Sequence, residues 1–185
     1  MPVPVFSTGE VLTAANMNRV GLWKIATGTF TNTTTIVQDS VFTTDFAHYK
    51  IMLSLQPNAT GTGGTELQLR AAGANLAGSS YVWQGISQNV ANNPGPNNGS
   101  GTTGWYLSNF YSATAGSNVS EITLFNPKKT AMTGWSNTTT FDWPGPSYYV
   151  RTSNGFYTPT TQADGFRIVP TSAITGSYVI YGFRD

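Results

Sequence analysis

The sole histidine of the chain, His48, is the first residue to test for chemistry, because imidazole is the usual proton carrier near neutral pH. A serine hydrolase would need this imidazole beside an activated serine and a carboxylate. The sequence contains no Gly-X-Ser-X-Gly segment, and nothing in it singles out one serine as a nucleophile. We therefore expect a structural role for His48, which lies at the start of a predicted strand and either points outward or caps the strand end.

Carboxylate pairs are the second possible source of catalysis. A glycosidase needs two carboxyl groups about 5–10 Å apart across a cleft, and the chain has eight Asp and Glu residues. Most have a simpler explanation: Glu66 and Glu121 begin predicted strands, and Asp164 precedes a turn glycine. Asp45 or Asp142 could still be paired with another carboxyl group in space, which leaves cleavage of a surface polysaccharide as a minor hypothesis. We predict a protein that is not an enzyme and has no catalytic residue.

The sequence predicts no metal, cofactor or polyanion site. Cysteine is absent, and no histidine or carboxylate cluster has the spacing of metal ligands. Gly61, Gly63 and Gly64 lack the lysine and hydroxyl residue that complete a phosphate-binding loop, so they indicate a hairpin loop. The net charge of +1 and a single basic pair, Lys128 and Lys129, disfavour nucleic-acid binding. No run of about 18 apolar residues occurs, so membrane insertion is not predicted.

Aromatic residues are the positive signal, since they make up 13% of the chain and include five tryptophans. An exposed aromatic ring can stack on a sugar while nearby polar side chains bind its hydroxyls. The best candidates for a glycan site are Trp143, Asp142 and Tyr148, which flank a predicted proline turn, and Trp105, which follows a long Asn/Gly-rich loop. The alternative is that these aromatic residues lie in the core or in a subunit interface.

These side chains must be positioned by strands. Only 9% of the residues are charged, whereas 39% are hydrophobic, and Thr, Ser, Asn and Gly supply most of the polar remainder. Apolar and polar residues alternate over residues 49–56, 66–70 and 121–124, which is typical of half-buried strands. Further strands are predicted around residues 27–38, 81–88, 105–112, 132–138, 148–151, 166–169 and 177–183. Many short strands separated by turn residues predict an all-β protein: an antiparallel β-sandwich of the jelly-roll type.

The last predicted strand carries apolar groups on both faces. In a two-layer sandwich only one face of a sheet meets the core, so Val179, Tyr181 and Phe183 are predicted to contact another subunit or another partner protein. The alternative is that the predicted loop over residues 89–104 folds over this strand.

The first 22 residues differ from the rest and are predicted to be an arm ahead of a β domain over residues 23–185. Pro2 and Pro4 hold the chain extended, and Thr13 can cap a short helix that ends near Gly21. Such a helix is too short to be stable alone. We expect the arm to become ordered on a partner.

The segment Phe6-Ser-Thr-Gly-Glu-Val-Leu-Thr-Ala-Ala-Asn-Met-Asn18 resembles the opening of small tailed-bacteriophage virion proteins of the minor tail, tail-fibre and head-fibre type. Residues 42–55, 66–73 and 164–185, the last containing Gly-Ser-Tyr-Val-Ile-Tyr-Gly, resemble the strand pattern of their C-terminal β domains. The resemblance implies a location in the virion, commonly as a homotrimer, with the arm docked on other virion proteins of the capsid, neck or tail. Phe6, Leu12 and Met17 are the arm's candidate attachment residues.

Two functions follow as expectations. The first is a compact fibre, knob, adaptor or decoration subunit, since the chain lacks the coiled coil, collagen-like repeat or β-helix of a long fibre shaft. The second is a lectin-like module that recognises a glycan on the host surface.

Overall fold

The computed structural model describes Gly9 and residues 21–89, 94–111, 118–143 and 147–183, with the side chains of residues 143 and 147 left out. Within these residues the chain forms strands and no helix. The strands are β1 (Trp23–Thr33), β2 (Ile36–Gln38), β3 (His48–Pro57), β4 (Gly63–Ala71), β5 (Ala74–Asn75), β6 (Tyr81–Asn89), β7 (Gly95–Thr102), β8 (Trp105–Phe110), β9 (Asn118–Phe125), β10 (Thr133–Trp143), β11 (Ser147–Tyr157), β12 (Gly165–Pro170) and β13 (Ile174–Phe183). Apart from Gly9, Gly21 and Leu22, the arm lies outside the described residues, and this includes its predicted helix over residues 13–19 and Phe6, Leu12 and Met17.

The strands form two antiparallel sheets. The larger sheet has eight strands in the order β1-β13-β3-β9-β10-β11-β6-β7. The smaller sheet has the order β2-β12-β4-β5, and β8 also pairs with β4. The predicted antiparallel β-sandwich is confirmed, while its jelly-roll arrangement stays a prediction.

The alternation of residue types sets which face of each strand is buried. In β3, the side chains of Tyr49, Ile51, Leu53 and Leu55 are almost fully buried and alternate with partly exposed neighbours. Successive strand residues point to opposite faces, so a slip of one residue would expose this whole set. Each such buried side chain contributes about 1.5–3 kcal/mol relative to exposure, and this difference fixes the register.

The smaller sheet supplies the other half of the core. Leu67 and Leu69 of β4 and Phe166 and Ile168 of β12 are fully buried and belong to the same apolar cluster as the inner residues of β3. Antiparallel pairing places Leu67 beside Ile168 and Leu69 beside Phe166. The core therefore lies between the two sheets and leaves the outer face of the larger sheet available for contacts.

Trp105 connects the two sheets. It pairs with Leu67 in the smaller sheet, and its indole stacks on that of Trp135 of the larger sheet, with ring centroids 5.3 Å apart and 22° between the planes. The ring of Tyr81 meets it edge-on at 5.1 Å. Aromatic pairs in these geometries add to the energy of burial itself, so this cluster holds β8 against β10 and β6.

The structure corrects the prediction of a loop over residues 89–104. Most of that segment is β7, which pairs with β6 and forms one edge of the larger sheet. Five strands separate β7 from β13, so the alternative in which this segment covers β13 is wrong. The strand predicted over residues 148–151 is also longer than expected, since β11 runs from Ser147 to Tyr157.

Candidate functional site

The outer face of the larger sheet can be followed from the strand register, because paired residues lie side by side on the same face. The inner face is marked by buried residues such as Ile180, Ile51 and Ile122, which are neighbours across β13, β3 and β9. Residues one position away along each strand therefore form the outer face. Two rows of this face have a composition that suits binding.

The first row, here called the aromatic row, crosses the sheet through Phe183, His48, Phe125, Gly134 and Phe156. The ring centroid of His48 is 5.2 Å from that of Phe183 and 5.5 Å from that of Phe125. Gly134 has no side chain, and the space above it is bounded by the rings of Phe125 and Phe156, 3.5 and 3.7 Å from where a Cβ would lie. Phe125 and Phe156 are 38% and 52% exposed, so the row is an apolar strip that solvent reaches.

Val179, Tyr181 and Phe183, the predicted subunit contacts, all lie on this outer face and are half-buried. Tyr178 and Ile180, which alternate with them, pack on the core. The prediction that β13 presents apolar groups on both faces is therefore confirmed. Their role in an oligomer interface stays a prediction.

The second row, here called the carboxamide row, consists of Asn154 of β11, Gln84 of β6 and Asn98 of β7, which are neighbours in register. All three side chains are exposed. Two shallow depressions, of about 480 and 470 Å³, lie on either side of the row, and both are lined by all three residues. The first depression is completed by Val82 and Phe156, and the second by Ile86 and Pro96.

The charge on this part of the outer face is zero. Outer positions of β10 from 134 to 140, of β11 from 148 to 156, of β6 from 82 to 88 and of β7 from 96 to 100 carry no ionisable side chain other than the phenol of Tyr148. Asp142, the next β10 position in register with this face, is 7% exposed. On the neighbouring strands β3 and β9, Lys50 and Glu121 form an ion pair with an Nζ–Oε1 distance of 2.7 Å. The face therefore suits an uncharged partner.

The structure separates the four residues predicted for a glycan site. Trp105 is fully buried in the core, so the prediction that it offers an exposed face to a sugar is wrong. The alternative, a core aromatic, is confirmed for this residue. Tyr148 at the start of β11 is 59% exposed, and its role in glycan binding stays a prediction. The side chain of Trp143 lies outside the described residues.

The prediction that Asp142 binds a glycan is also wrong, because only 7% of the surface of this residue is exposed. Its Oδ1 accepts a hydrogen bond of 3.3 Å from the backbone N–H of Tyr111, and its own backbone N–H donates to Oδ1 of Asn118 at 3.2 Å. A carboxylate held in this way braces the end of β10 against the chain after β8. It is not placed to receive sugar hydroxyls from solvent.

On the inner side of β11, three residues along the strand from Asn154, sequence reasoning missed a buried cation. Arg151 of β11 is 3% exposed and points into the sandwich, where its Cζ lies 5.1 Å from the ring centroids of both Tyr106 and Phe141. Desolvation lowers the pKa of Arg151 below its usual value. Desolvation likewise raises the pKa of Tyr106. Because Arg151 faces inward, it does not make the outer face basic.

Sequence reasoning also missed the carboxamide row. Its three residues are separated along the chain, and only strand pairing brings them together. A local signal exists in Val82-Trp-Gln-Gly-Ile-Ser-Gln88, where alternation places Gln84 on the face opposite Trp83. The local sequence does not reveal which strands flank it.

Comparison with protein-family models, curated proteins and solved structures found no match to this chain. In the part of the chain that the structure describes, no helix is long and apolar enough to cross a membrane. No group of three or more potential metal ligands was found among the described residues either.

Proposed function

We propose that this chain is a structural subunit of a tailed-bacteriophage particle, a compact knob, adaptor or decoration protein that self-associates as a homotrimer. In this proposal residues 1–22 dock on capsid, neck or tail proteins through Phe6, Leu12 and Met17, and the β domain faces outward. The subunit acts without catalysis or a cofactor, and its outward domain contacts the host surface. The front motif carries the assignment to a phage particle.

One structural observation favours self-association: the end of the aromatic row on β13, β3 and β9, away from Phe156, is an apolar strip that solvent reaches, with Phe125 38% exposed. The ring of His48 lies between those of Phe183 and Phe125, with centroid distances of 5.2 and 5.5 Å, and Val179 and Tyr181 extend the apolar surface along β13. Covering apolar surface contributes about 25 cal/mol per Å². Association through such a surface depends little on salt, because few charges take part.

The oligomeric state tests this part of the proposal. The full chain should elute with about three times its 19.8 kDa monomer mass, measured by light scattering after size exclusion. Val179→Lys, which introduces a charge into the apolar surface along β13, should shift the mass to that of the monomer. Val37→Lys is the matched control, because Val37 is 41% exposed on β2 of the other sheet. A wild-type monomer, or a trimer that tolerates Val179→Lys, would rule out this interface.

The attachment role of the arm is tested separately. Leu12→Asp combined with Met17→Asp should leave the mass and the melting temperature of the purified protein unchanged, while the protein no longer co-purifies with particles. Normal incorporation of this double variant would contradict docking through these residues.

A further inference from the structure

We propose that the outer face of β11, β6 and β7 is a binding site for an uncharged oligosaccharide. In this site Asn154, Gln84 and Asn98 bind sugar hydroxyls, and Phe156 packs against the apolar face of a sugar ring. The inference rests on the proposed function for its biological role, since an outward-facing domain would meet glycans on the host surface. Binding itself is a property of the purified chain.

The hydrogen-bonding capacity of the carboxamide row is the first argument. Each carboxamide has two N–H donors and an oxygen with two acceptor positions. The side chains of Asn154, Gln84 and Asn98 form no hydrogen bond with any described residue, although other amides of the fold do, such as Asn97 with the Ser87 hydroxyl at 2.9 Å. Neighbouring hydroxyls of a pyranose need donors and acceptors side by side. The carboxamide row supplies these donors and acceptors, and none of them is paired with a described residue.

The dimensions of the row also fit a sugar. Neighbouring strands are about 4.8 Å apart, so three residues in register span about 10 Å, the length of a disaccharide. Together the two flanking depressions provide about 480 and 470 Å³, within the range of small-molecule sites. A ligand lying along the row would run across the strands and occupy both.

Apolar groups flank the row on both sides. Phe156 is 52% exposed on one side, and Ile86 is 61% exposed on the other. The C–H groups of a sugar ring pack on flat apolar surfaces, and its equatorial hydroxyls then point along the ring plane toward polar neighbours. An arrangement of apolar, carboxamide and apolar strips matches both kinds of surface on a pyranose.

The floor beneath the row is rigid. Trp83, on the inner side of β6, stacks on Tyr106 with centroids 5.9 Å apart and 16° between the planes. Gly99 and Gly155 flank Trp83 in register, and a Cβ at Gly99 would lie 2.4 Å from Nε1 of the Trp83 indole. Such packing holds β6 in place between its neighbours. Ligand binding then costs little conformational entropy of the protein, which favours affinity.

Charge decides which ligand class fits. Outer positions of these strands carry no acidic or basic residue, so there is nothing to neutralise a sialic acid, a uronic acid or a phosphate. An apolar protein surface is also disfavoured, because covering the three amides without pairing them would cost about 1–3 kcal/mol for each unsatisfied group. An uncharged glycan satisfies the amides and leaves no buried charge.

The test uses the full purified chain on an array of uncharged and acidic oligosaccharides, followed by calorimetric titration with the best free ligand. We expect uncharged glycans alone to bind. Asn154→Ala, Gln84→Ala and Phe156→Ala should each weaken binding about tenfold or more without lowering the melting temperature. The matched controls are Gln38→Ala on the smaller sheet and Phe125→Ala in the aromatic row, which should bind like the wild type.

Three results would overturn the proposal: no uncharged glycan binds, binding survives all three substitutions, or acidic glycans bind instead. A change in oligomeric mass on Gln84→Ala would also overturn it, because the face would then be covered by a second copy of the chain. Free monovalent ligands make the titration independent of assembly. A monomer that binds glycan would thus refute the trimer and retain this site.

Discussion

The Cζ atom of Arg151 lies 5.1 Å from the centroid of the Phe141 ring, and the ring of Tyr106 lies at the same distance. Aromatic faces, rather than a carboxylate, surround this cation: within the described residues Arg151 forms no ion pair, and its Nε and Nη1 have no hydrogen-bond partner. A cation–π contact stabilises the buried guanidinium by about 0.5–2 kcal/mol. This is less than the desolvation cost of burying a charge. The sandwich therefore tolerates Arg151 at an energetic cost.

Replacing Arg151 should reveal that cost. Arg151→Met keeps much of the volume and removes the charge, so we expect the free energy of unfolding to stay level or to rise. Arg151→Lys should lower it by about 1–3 kcal/mol, because an ammonium is more strongly hydrated and cannot stack on the rings. Urea denaturation measures both. A larger loss with Met than with Lys would show that the charge itself stabilises the fold.

Gly155 is predicted to be nearly irreplaceable. A Cβ at this position would lie 2.1 Å from the carbonyl oxygen of Val82 and 2.6 Å from Nε1 of Trp135. The first atom belongs to the paired strand and cannot move without breaking the sheet, so Gly155→Ala should lower the free energy of unfolding by about 1–3 kcal/mol. Gly134→Ala is the matched control, since its nearest contacts are 3.5 Å away, and it should change stability by less than about 1 kcal/mol. Equal effects in thermal melts would contradict the close approach at Gly155.

Stability should fall at alkaline pH. Burial raises the pKa of Tyr81, whose hydroxyl accepts from the backbone N–H of Leu69 and donates to the carbonyl of Leu76, each at 2.8 Å. The pKa values of Tyr49, Tyr106 and Tyr157 are raised for the same reason. The unfolded chain loses these protons near the ordinary tyrosine pKa of 10.0, while the folded chain retains them. Unfolding therefore becomes easier as the pH rises above that value.

Urea midpoints at increasing pH check this prediction. They should be level from pH 7 to about 9 and decline above about 10. Tyr81→Phe should flatten the decline while lowering stability at neutral pH by about 1–2 kcal/mol through the lost hydrogen bonds. A midpoint that does not change up to pH 11 would contradict the retained protons.

Trp105 and Tyr148 should behave in opposite ways. Trp105→Ala empties the junction between the sheets and should cost about 3–5 kcal/mol. Tyr148→Ala removes a side chain that is 59% exposed and should change stability by less than about 0.5 kcal/mol. Thermal melts of both variants separate the core residue from the surface residue. Comparable losses would mean that Tyr148 is covered in solution.

The β-sandwich could be predicted from the sequence because local alternation reports burial directly. Residues 49–55 alternate strictly, and β3 buries the expected set. In contrast β7, with the sequence Gly-Pro-Asn-Asn-Gly-Ser-Gly-Thr, has turn-forming residues throughout and becomes a strand only by pairing with β6. Tertiary pairing overrides weak β propensity at such an edge.

For a related reason, neither the carboxamide row nor the burial of Trp105 could be predicted from the sequence. Trp105 stands directly after a glycine-rich stretch, and its burial depends on Trp135 and Tyr81, which are distant in sequence. The neighbours of Gln84 depend on the register of β11 and β7. Residue type predicts what a side chain can do, but register decides what lies beside it.

Because β7 lies at the edge of the larger sheet, a further strand can pair with it and extend the outer face. Among the described residues no strand pairs with the outer side of β7, and an extended peptide that paired there would continue each cross-strand row by one residue. Beside Asn98 it would add a fourth place in line with Gln84 and Asn154, on the same side of the sheet. Lateral strand addition would thus enlarge the recognition surface without blocking it.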